Sequence, residues 1–172
     1  MNPSTDPLVR LAQSTIESFI RTRAIPAAPG LPPDLPPRAG CFVSIHTGSG
    51  AELRGCIGTI GPTQPTLAAE VIHNAISAAT QDPRFPAIRP GELDGLDISV
   101  DVLFEPEPAQ REDLDPKLFG VIVTQGFRRG LLLPDLDGVD TADEQLRIAC
   151  LKAEIDPATN YEIERFRVVR HA

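Results

Sequence analysis

Apolar residues near the start of the chain recur at the spacing of an α-helix. Asp6 and Pro7 come just before them, and a capping residue followed by a first-turn proline is a typical helix start. The apolar positions then fall on one helical face. They are Leu8, Leu11, Ala12, Ile16, Phe19 and Ile20. The pattern predicts an amphipathic first helix.

Two further segments have the same period. Residues 65–81 predict a second helix, which leaves His73 and Asn74 on its solvent side. Its apolar stripe consists of Leu67, Ala68, Val71, Ile72, Ala75, Ile76 and Ala79. Residues 141–154 predict a third helix, in which Cys150 is a small core residue. Leu146 and Ala153 share its face.

The remaining apolar runs are short and predict strands. Two hairpins are expected, one around the turn letters GSGA and one around GFRR. A run that alternates apolar and polar residues predicts a half-buried strand between the hairpins, and a short strand closes the chain. The predicted strands are 41–47, 52–60, 96–106, 119–125, 130–134 and 164–171.

This order of elements indicates an α+β fold. Tight turns join neighbouring strands, which favours a mainly antiparallel or mixed sheet with flanking helices over a doubly wound parallel sheet. The length of 172 residues fits one domain, 1–172. Residues 26–40 hold six prolines and predict an ordered, extended strap on the surface of that domain, with a flexible linker as the alternative.

Composition and charge argue against several classes of partner and site. The net charge of −8 and a pI near 4.8 argue against nucleic acid and anionic membranes as partners. No signal peptide or 18-residue apolar run is present, so a cytoplasmic location is expected. The three cysteines fit free thiols in a reducing compartment, and the three histidines are too scattered for a zinc site. Arginine outnumbers lysine 14 to 2, which is typical of a GC-rich bacterial genome.

The stretch AELRGCIGTIGP, residues 51–62, carries the candidate chemistry. On a strand Arg54 and Cys56 face the same way, and a guanidinium near a thiol favours the thiolate. Glycines around the sulfur leave room for a ligand or for close strand packing. The stretch has neither the spacing of a phosphate-binding loop nor that of a dinucleotide fingerprint, and no cofactor is expected. Cys56 is therefore either a reactive thiol or a tightly packed one, and His46 on the partner strand is a candidate neighbour.

Several motifs together resemble one known family. They are LRGCIGT, DPRF, ISVDVL, GVIV, RRGLLLP and ACLKA. From about residue 8 to about residue 168 the chain is similar to the AMMECR domain family, whose prokaryotic members are called AmmeMemoRadiSam system protein A. The resemblance implies two unequal lobes with the signature LRGCIG facing their groove. It also implies a Memo-like protein and a radical SAM enzyme as partners, and Glu is usual in the family at the position of Ser99.

Two classes of function follow. The first is a thiol-dependent enzyme or covalent carrier acting on a small anionic substrate, with Cys56 as nucleophile and Arg54 favouring its thiolate. The second is a noncatalytic module that binds a partner or ligand. The candidate substrate-binding residues are Gly55, Gly58, Asp82, Arg84, Arg128, Arg129 and His46. The simpler interpretation of Asp82 and Arg84 is loop architecture, and that of Arg128 and Arg129 is a solvated turn.

Overall fold

The computed structural model confirms the α+β fold class. It describes residues 4–48 and 52–172, so most of the predicted GSGA turn lies outside the described residues. The chain divides into two unequal compact units. The first extends to Leu103 and includes Val169–Ala172, and the second is Phe104–Val168.

A three-stranded antiparallel sheet covered by two helices forms the first unit. Strand β1 (Gly40–Thr47) lies between β2 (Glu52–Gly58) and β3 (Asp97–Leu103). Helices α1 (Pro7–Thr22) and α2 (Leu67–Thr80) pack on each other and on one face of this sheet. The apolar side chains of β1 that alternate toward the helices are fully buried, and they are Cys41, Val43 and Ile45. The opposite face carries the polar positions of the three strands.

Helix α1 begins as its sequence predicts. The side chain of Asp6 accepts hydrogen bonds from the backbone amides of Leu8 and Val9, which have no partner inside the helix. The predicted apolar face is buried, apart from the half-buried Phe19. The helix ends at Arg23, which adopts a left-handed conformation with φ 62°.

Helix α2 differs from its prediction at Asn74. The prediction that Asn74 is solvated is wrong, because its side chain is only 1% exposed. Asn74 Nδ2 donates to the carbonyl of Cys41 at 2.9 Å and to Thr59 Oγ1 at 3.1 Å. These contacts satisfy the buried amide nitrogen of Asn74 and attach α2 to β1 and to the end of β2. His73 is exposed, as predicted.

A second buried polar group on α2 is Glu70, which is 0% exposed. Its carboxylate accepts hydrogen bonds from Thr59, from the amide and hydroxyl of Thr63, and from the amide of Gln64. Burial opposes ionisation, but these bonds hold the pKa of Glu70 below its ordinary value. Glu70 therefore holds the loop that follows β2 against the start of α2.

The second unit is built on another antiparallel sheet. Strand β5 (Phe119–Gln125) lies between β6 (Arg128–Leu132) and β7 (Glu162–His171), and the short β4 (Glu107–Pro108) pairs with β7. Helix α3 (Ala142–Lys152) packs on β5 and β6. Cys150 and Leu146 are buried in this core, as the sequence predicts.

The proline-rich segment has neither helix nor strand over residues 23–39. Its last part is attached to the loop before α2, because Arg38 donates to the carbonyls of Gln64 and Pro62. The amide of Leu67 also donates to the carbonyl of Pro37 at 3.0 Å. This end of the strap is thus held by hydrogen bonds to main-chain carbonyls.

In the parts of the chain that the structure describes, no helix has both the length and the apolar character needed to cross a membrane.

Candidate functional site

Cys56 lies on β2, opposite Ser44 of β1. Cys56 is half-buried, and Ser44 Oγ donates a hydrogen bond to its Sγ over 3.3 Å. Ser44 is in turn paired with Ser99 of β3, so Cys56, Ser44 and Ser99 form a row across the sheet on the face away from the helices. This row sets the thiol beside the Ser44 hydroxyl, which can donate to a thiolate.

His46 is not the strand partner of Cys56. The register pairs His46 with Leu53 on β2 and with Asp97 on β3. An irregularity in the β1–β2 pairing lies just before His46. The residue opposite the thiol is therefore Ser44, which the sequence analysis missed because the register of the hairpin cannot be derived from its apolar pattern.

The outward backbone of Cys56 is satisfied by side chains. Strand β2 is the edge of its sheet, and the amide of Cys56 donates to Asp82 Oδ2 at 2.9 Å. Arg84 Nη2 lies 3.4 Å from the carbonyl oxygen of Cys56, to which it donates. Asp82 and Arg84 thus provide the acceptor and the donor that a neighbouring strand would otherwise supply.

The two side chains that cap Cys56 are bound to each other. Asp82 Oδ1 accepts from the amide and the Nε of Arg84, both at 3.0 Å, and Oδ2 accepts from Nη2 at 2.8 Å. The hydrogen bond from Arg84 is the main reason why the pKa of Asp82 lies well below its usual range. The hydrogen bond to Asp82 raises the pKa of Arg84, and Cys56 raises it to a lesser extent.

Exposure differs sharply between these two partners. The side chain of Asp82 is 2% exposed, whereas that of Arg84 is 55% exposed. The carboxylate is therefore committed to the fold. The guanidinium has five N–H donors, of which the pair with Asp82 uses those on Nε and Nη2. Arg84 can therefore bind Asp82 and an anion from solvent at the same time.

Arg54 has a different role from the one predicted. Its Nε and Nη2 donate to the two carboxylate oxygens of Glu92 at 2.9 and 3.3 Å. Glu92 lies in the short 3₁₀ helix Pro90–Gly95 and also accepts from the amide of Arg89. The hydrogen bond from Arg54 lowers the pKa of Glu92. The arginine that contacts Cys56 is Arg84, and Arg54 holds the 3₁₀ helix against β2.

The glycines of the signature are explained by packing. A Cβ on Gly55 would meet the carbonyl oxygen of Ala78 in α2, and one on Gly58 would meet the ring of Phe42 and the carbonyl of Cys41. Each of these contacts would force the neighbour to move. Gly61 has no such neighbour within 4 Å. The missing side chain at Gly55 therefore allows α2 to lie close to β2, and the one at Gly58 leaves room for the Phe42 ring of β1.

The predicted pair Arg128 and Arg129 belongs to the second unit. Arg128 Nη1 donates to the carbonyl of Glu154 at 2.7 Å, and Arg129 Nη2 pairs with Glu164 at 3.1 Å. Both side chains therefore have partners within that unit. Their guanidinium groups remain on the surface, and Phe127 at the tip of the same hairpin is 96% exposed.

The other two thiols differ from Cys56 in their surroundings. Cys41 is 0% exposed, and burial raises the pKa of its thiol to about 12. Burial also raises the pKa of Cys150. A thiol must ionise to react, so these two cysteines are poor nucleophiles. Over residues 4–48 and 52–172, no group of three His, Cys, Asp or Glu side chains is arranged to hold a metal ion.

Comparison with known proteins gives one consistent result. The sequence model of the AMMECR1 family matches residues 9–171, which include both units. A Thermotoga maritima protein is 52% identical over 169 residues, covering 96% of this chain and 97% of its own length. A Clostridium acetobutylicum protein is 49% identical over 96% of this chain, but that match spans only 36% of the longer protein. The crystal structure of an uncharacterised Pyrococcus horikoshii protein superposes with a TM-score of 0.81 at 32% identity, covering 95% of this chain and 88% of that one.

We predict that Asp82→Asn destabilises the fold. The substitution keeps the shape but removes the charge that holds Arg84, so the free energy of unfolding should fall by about 1–3 kcal/mol. Chemical denaturation measures this loss. Glu144→Gln is the matched control, because Glu144 forms an exposed pair with Arg147 within one helix and should leave the denaturation midpoint unchanged.

The pH dependence gives a second readout for the same variant. The pKa of Asp82 is lower in the folded protein than its ordinary value of 3.8, so its ionisation adds stability that is complete above pH 3.8. That stability is lost as the pH falls from this value toward the folded pKa. Asp82→Asn should lose less stability than the wild type over this interval. Parallel pH curves for the two proteins would contradict the role assigned to Asp82.

Proposed function

This chain belongs to the AMMECR1 family, and we propose that it is a cytoplasmic thiol-dependent enzyme or covalent carrier that acts on a small anionic substrate through Cys56. The observation that carries the proposal is the contrast among the three thiols. Cys41 and Cys150 are buried, whereas Cys56 is partly exposed, accepts a hydrogen bond from Ser44 and has Arg84 on its backbone.

The surroundings of Cys56 support a nucleophilic role. In such a reaction the Cys56 thiol first loses its proton to water. The thiolate sulfur then forms a bond to an electrophilic carbon of the substrate, and the electron pair of the bond broken at that carbon moves to the displaced group. Ser44 Oγ donates to the sulfur, and the guanidinium of Arg84 lies beside the Cys56 backbone. The exposed part of the Arg84 guanidinium suits a carboxylate or phosphate on the substrate.

A noncatalytic module is the second candidate, and a specific observation favours it. The Asp82–Arg84 pair and the two packed glycines explain the signature as a way to finish the edge of a sheet, without any chemistry at the thiol. In that case the surface around Cys56 binds a partner. We propose a Memo-like protein and a radical SAM enzyme as partners, as the family resemblance implies.

We expect Cys56 to be the first cysteine labelled in the folded protein. Iodoacetamide at neutral pH should modify Cys56 well before Cys41 or Cys150, because the latter two are buried and their pKa values are raised. Peptide mass spectrometry over a time course identifies the site. Faster labelling of Cys41 or Cys150 would contradict the thiol-enzyme proposal.

Two arginine variants extend the labelling experiment. Arg84→Gln should slow the labelling of Cys56 several-fold at neutral pH, because the thiolate loses its neighbouring cation. Arg54→Gln should have a smaller effect, because the Arg54 guanidinium donates to Glu92, whereas that of Arg84 donates to the Cys56 carbonyl. A larger effect of Arg54→Gln than of Arg84→Gln would instead support the prediction from sequence that Arg54 favours the Cys56 thiolate.

Thermal stability separates chemistry from packing at the signature. Cys56→Ser should change the free energy of unfolding by less than about 1 kcal/mol, because a partly exposed thiol contributes little to a core. Gly55→Ala and Gly58→Ala should each cost about 1–3 kcal/mol, because the added Cβ meets backbone or ring atoms. Gly61→Ala is the control and should be nearly neutral, since nothing lies within 4 Å of its Cβ.

The outcome of these melts decides between the two candidates. An unchanged melting temperature for Cys56→Ser, beside lowered ones for Gly55→Ala and Gly58→Ala, supports the active thiol. If Cys56→Ser is destabilised as much as the glycine variants, the cysteine is present for packing and the noncatalytic module is favoured.

Association can be measured directly. Co-expression with a Memo-like or radical SAM protein, followed by size-exclusion chromatography, should give a shared peak. The variant Arg84→Gln should weaken that peak if the surface around Cys56 forms the contact, and Arg147→Gln on α3 serves as a control for loss of one exposed arginine. Separate elution of folded proteins at micromolar concentration would argue against a stable complex.

A further inference from the structure

The second unit contains a cleft with a volume of about 430 Å³. Phe104, Phe119 and Phe166 line it, so three of the seven phenylalanines of the chain lie in one place. The volume is within the range of small-molecule sites, which typically combine apolar walls with a few polar groups.

The base of the cleft is shaped by Phe166 and Gly120. Phe166 is 2% exposed and lies opposite Gly120 in the pairing of β7 with β5. A Cβ on Gly120 would enter the ring of Phe166. The absence of a side chain at position 120 therefore allows the ring to lie flat on β5.

One side of the cleft is held in place by Arg165. Its guanidinium lies 4.4 Å from the ring centre of Phe119 and donates to Glu107 Oε1 and to the carbonyl of Asp113, both at 2.8 Å. The charge of Arg165 is thus already balanced by Glu107. The lining here combines the Phe119 ring with the ion pair of Arg165 and Glu107.

Two further charged side chains, Arg167 and Glu105, line the cleft. The guanidinium of Arg167 lies 5.5 Å from the ring centre of Phe104, and within residues 4–48 and 52–172 no carboxylate pairs with it. Glu105 is exposed and, over the same described ranges, has no basic partner. The cleft therefore presents one free positive and one free negative group beside aromatic walls.

We propose that this cleft binds a free amino acid with a large apolar side chain. A ligand with zero net charge and both signs matches the two free groups, because Arg167 can hold the α-carboxylate in a bidentate manner and Glu105 can accept from the α-ammonium group. The side chain of the ligand then packs on Phe104 and Phe119. This site is independent of Cys56, and binding at it requires no covalent step.

Calorimetric titration of the full chain with L-phenylalanine tests the site. We expect saturable binding, which N-acetylation or amidation of the ligand weakens at least about tenfold because each change removes one of the two charges. L-Alanine should also bind at least about tenfold more weakly, because it leaves the aromatic walls uncovered.

Two variants assign the charges to residues. Arg167→Gln should bind L-phenylalanine no more tightly than it binds L-phenylalaninamide. Glu105→Gln should bind L-phenylalanine no more tightly than it binds N-acetyl-L-phenylalanine. Arg147→Gln, an exposed arginine on α3 outside the cleft, should bind like the wild type. Thermal melts confirm that each variant is folded.

Three results would overturn the proposal. They are no saturable binding of L-phenylalanine at millimolar concentrations, equal binding of N-acetyl-L-phenylalanine by the wild type, and equal binding of L-alanine. Because Cys56 labelling is measured separately, failure of the cleft and failure of the thiol proposal give different results.

Discussion

The hydrogen bond from the amide of Cys56 to the carboxylate of Asp82 is the contact on which the candidate site depends. Cys56 lies on an edge strand, where backbone groups would otherwise be open to water or to another chain. Asp82 is buried, and its pKa is held low chiefly by the hydrogen bond from Arg84, with further hydrogen bonds from the backbone amides of Cys56 and Arg84. One ion pair thus closes the edge of the sheet and fixes the position of the thiol.

This arrangement connects two motifs that are distant in the sequence. Asp82 lies 26 residues after Cys56, directly beyond the end of α2. Helix α2 therefore ends close to the edge strand, where Asp82 and Arg84 take the place of a further strand. The pair satisfies both outward backbone groups of Cys56, and the register of β1 and β2 places the sulfur beside Ser44 on the face away from the helices.

The arginines of the chain differ in whether a carboxylate binds their guanidinium group. Several are paired with a carboxylate of the same unit. They include Arg54 with Glu92, Arg84 with Asp82, Arg129 with Glu164, Arg165 with Glu107 and Arg170 with Asp101. Arg84 combines a buried partner with an exposed guanidinium, and Arg167 lies over the Phe104 ring with no carboxylate partner among residues 4–48 and 52–172. The thiol proposal depends on the first of these arginines and the cleft proposal on the second.

Local sequence determined the elements of this protein. The period of the apolar residues, the cap at Asp6 and the turn letters between strands each act over a few residues, so α1, α3, β1 and β5 form close to where they are predicted. The same local information singled out Cys56 and placed Cys150 in a core. Only the tertiary structure decided the register that pairs Cys56 with Ser44, the burial of Asn74 and the partner of Arg54, which is 38 residues away. Periodicity states which face of an element is apolar, but the partner of a polar side chain depends on which distant segments the packed core brings together.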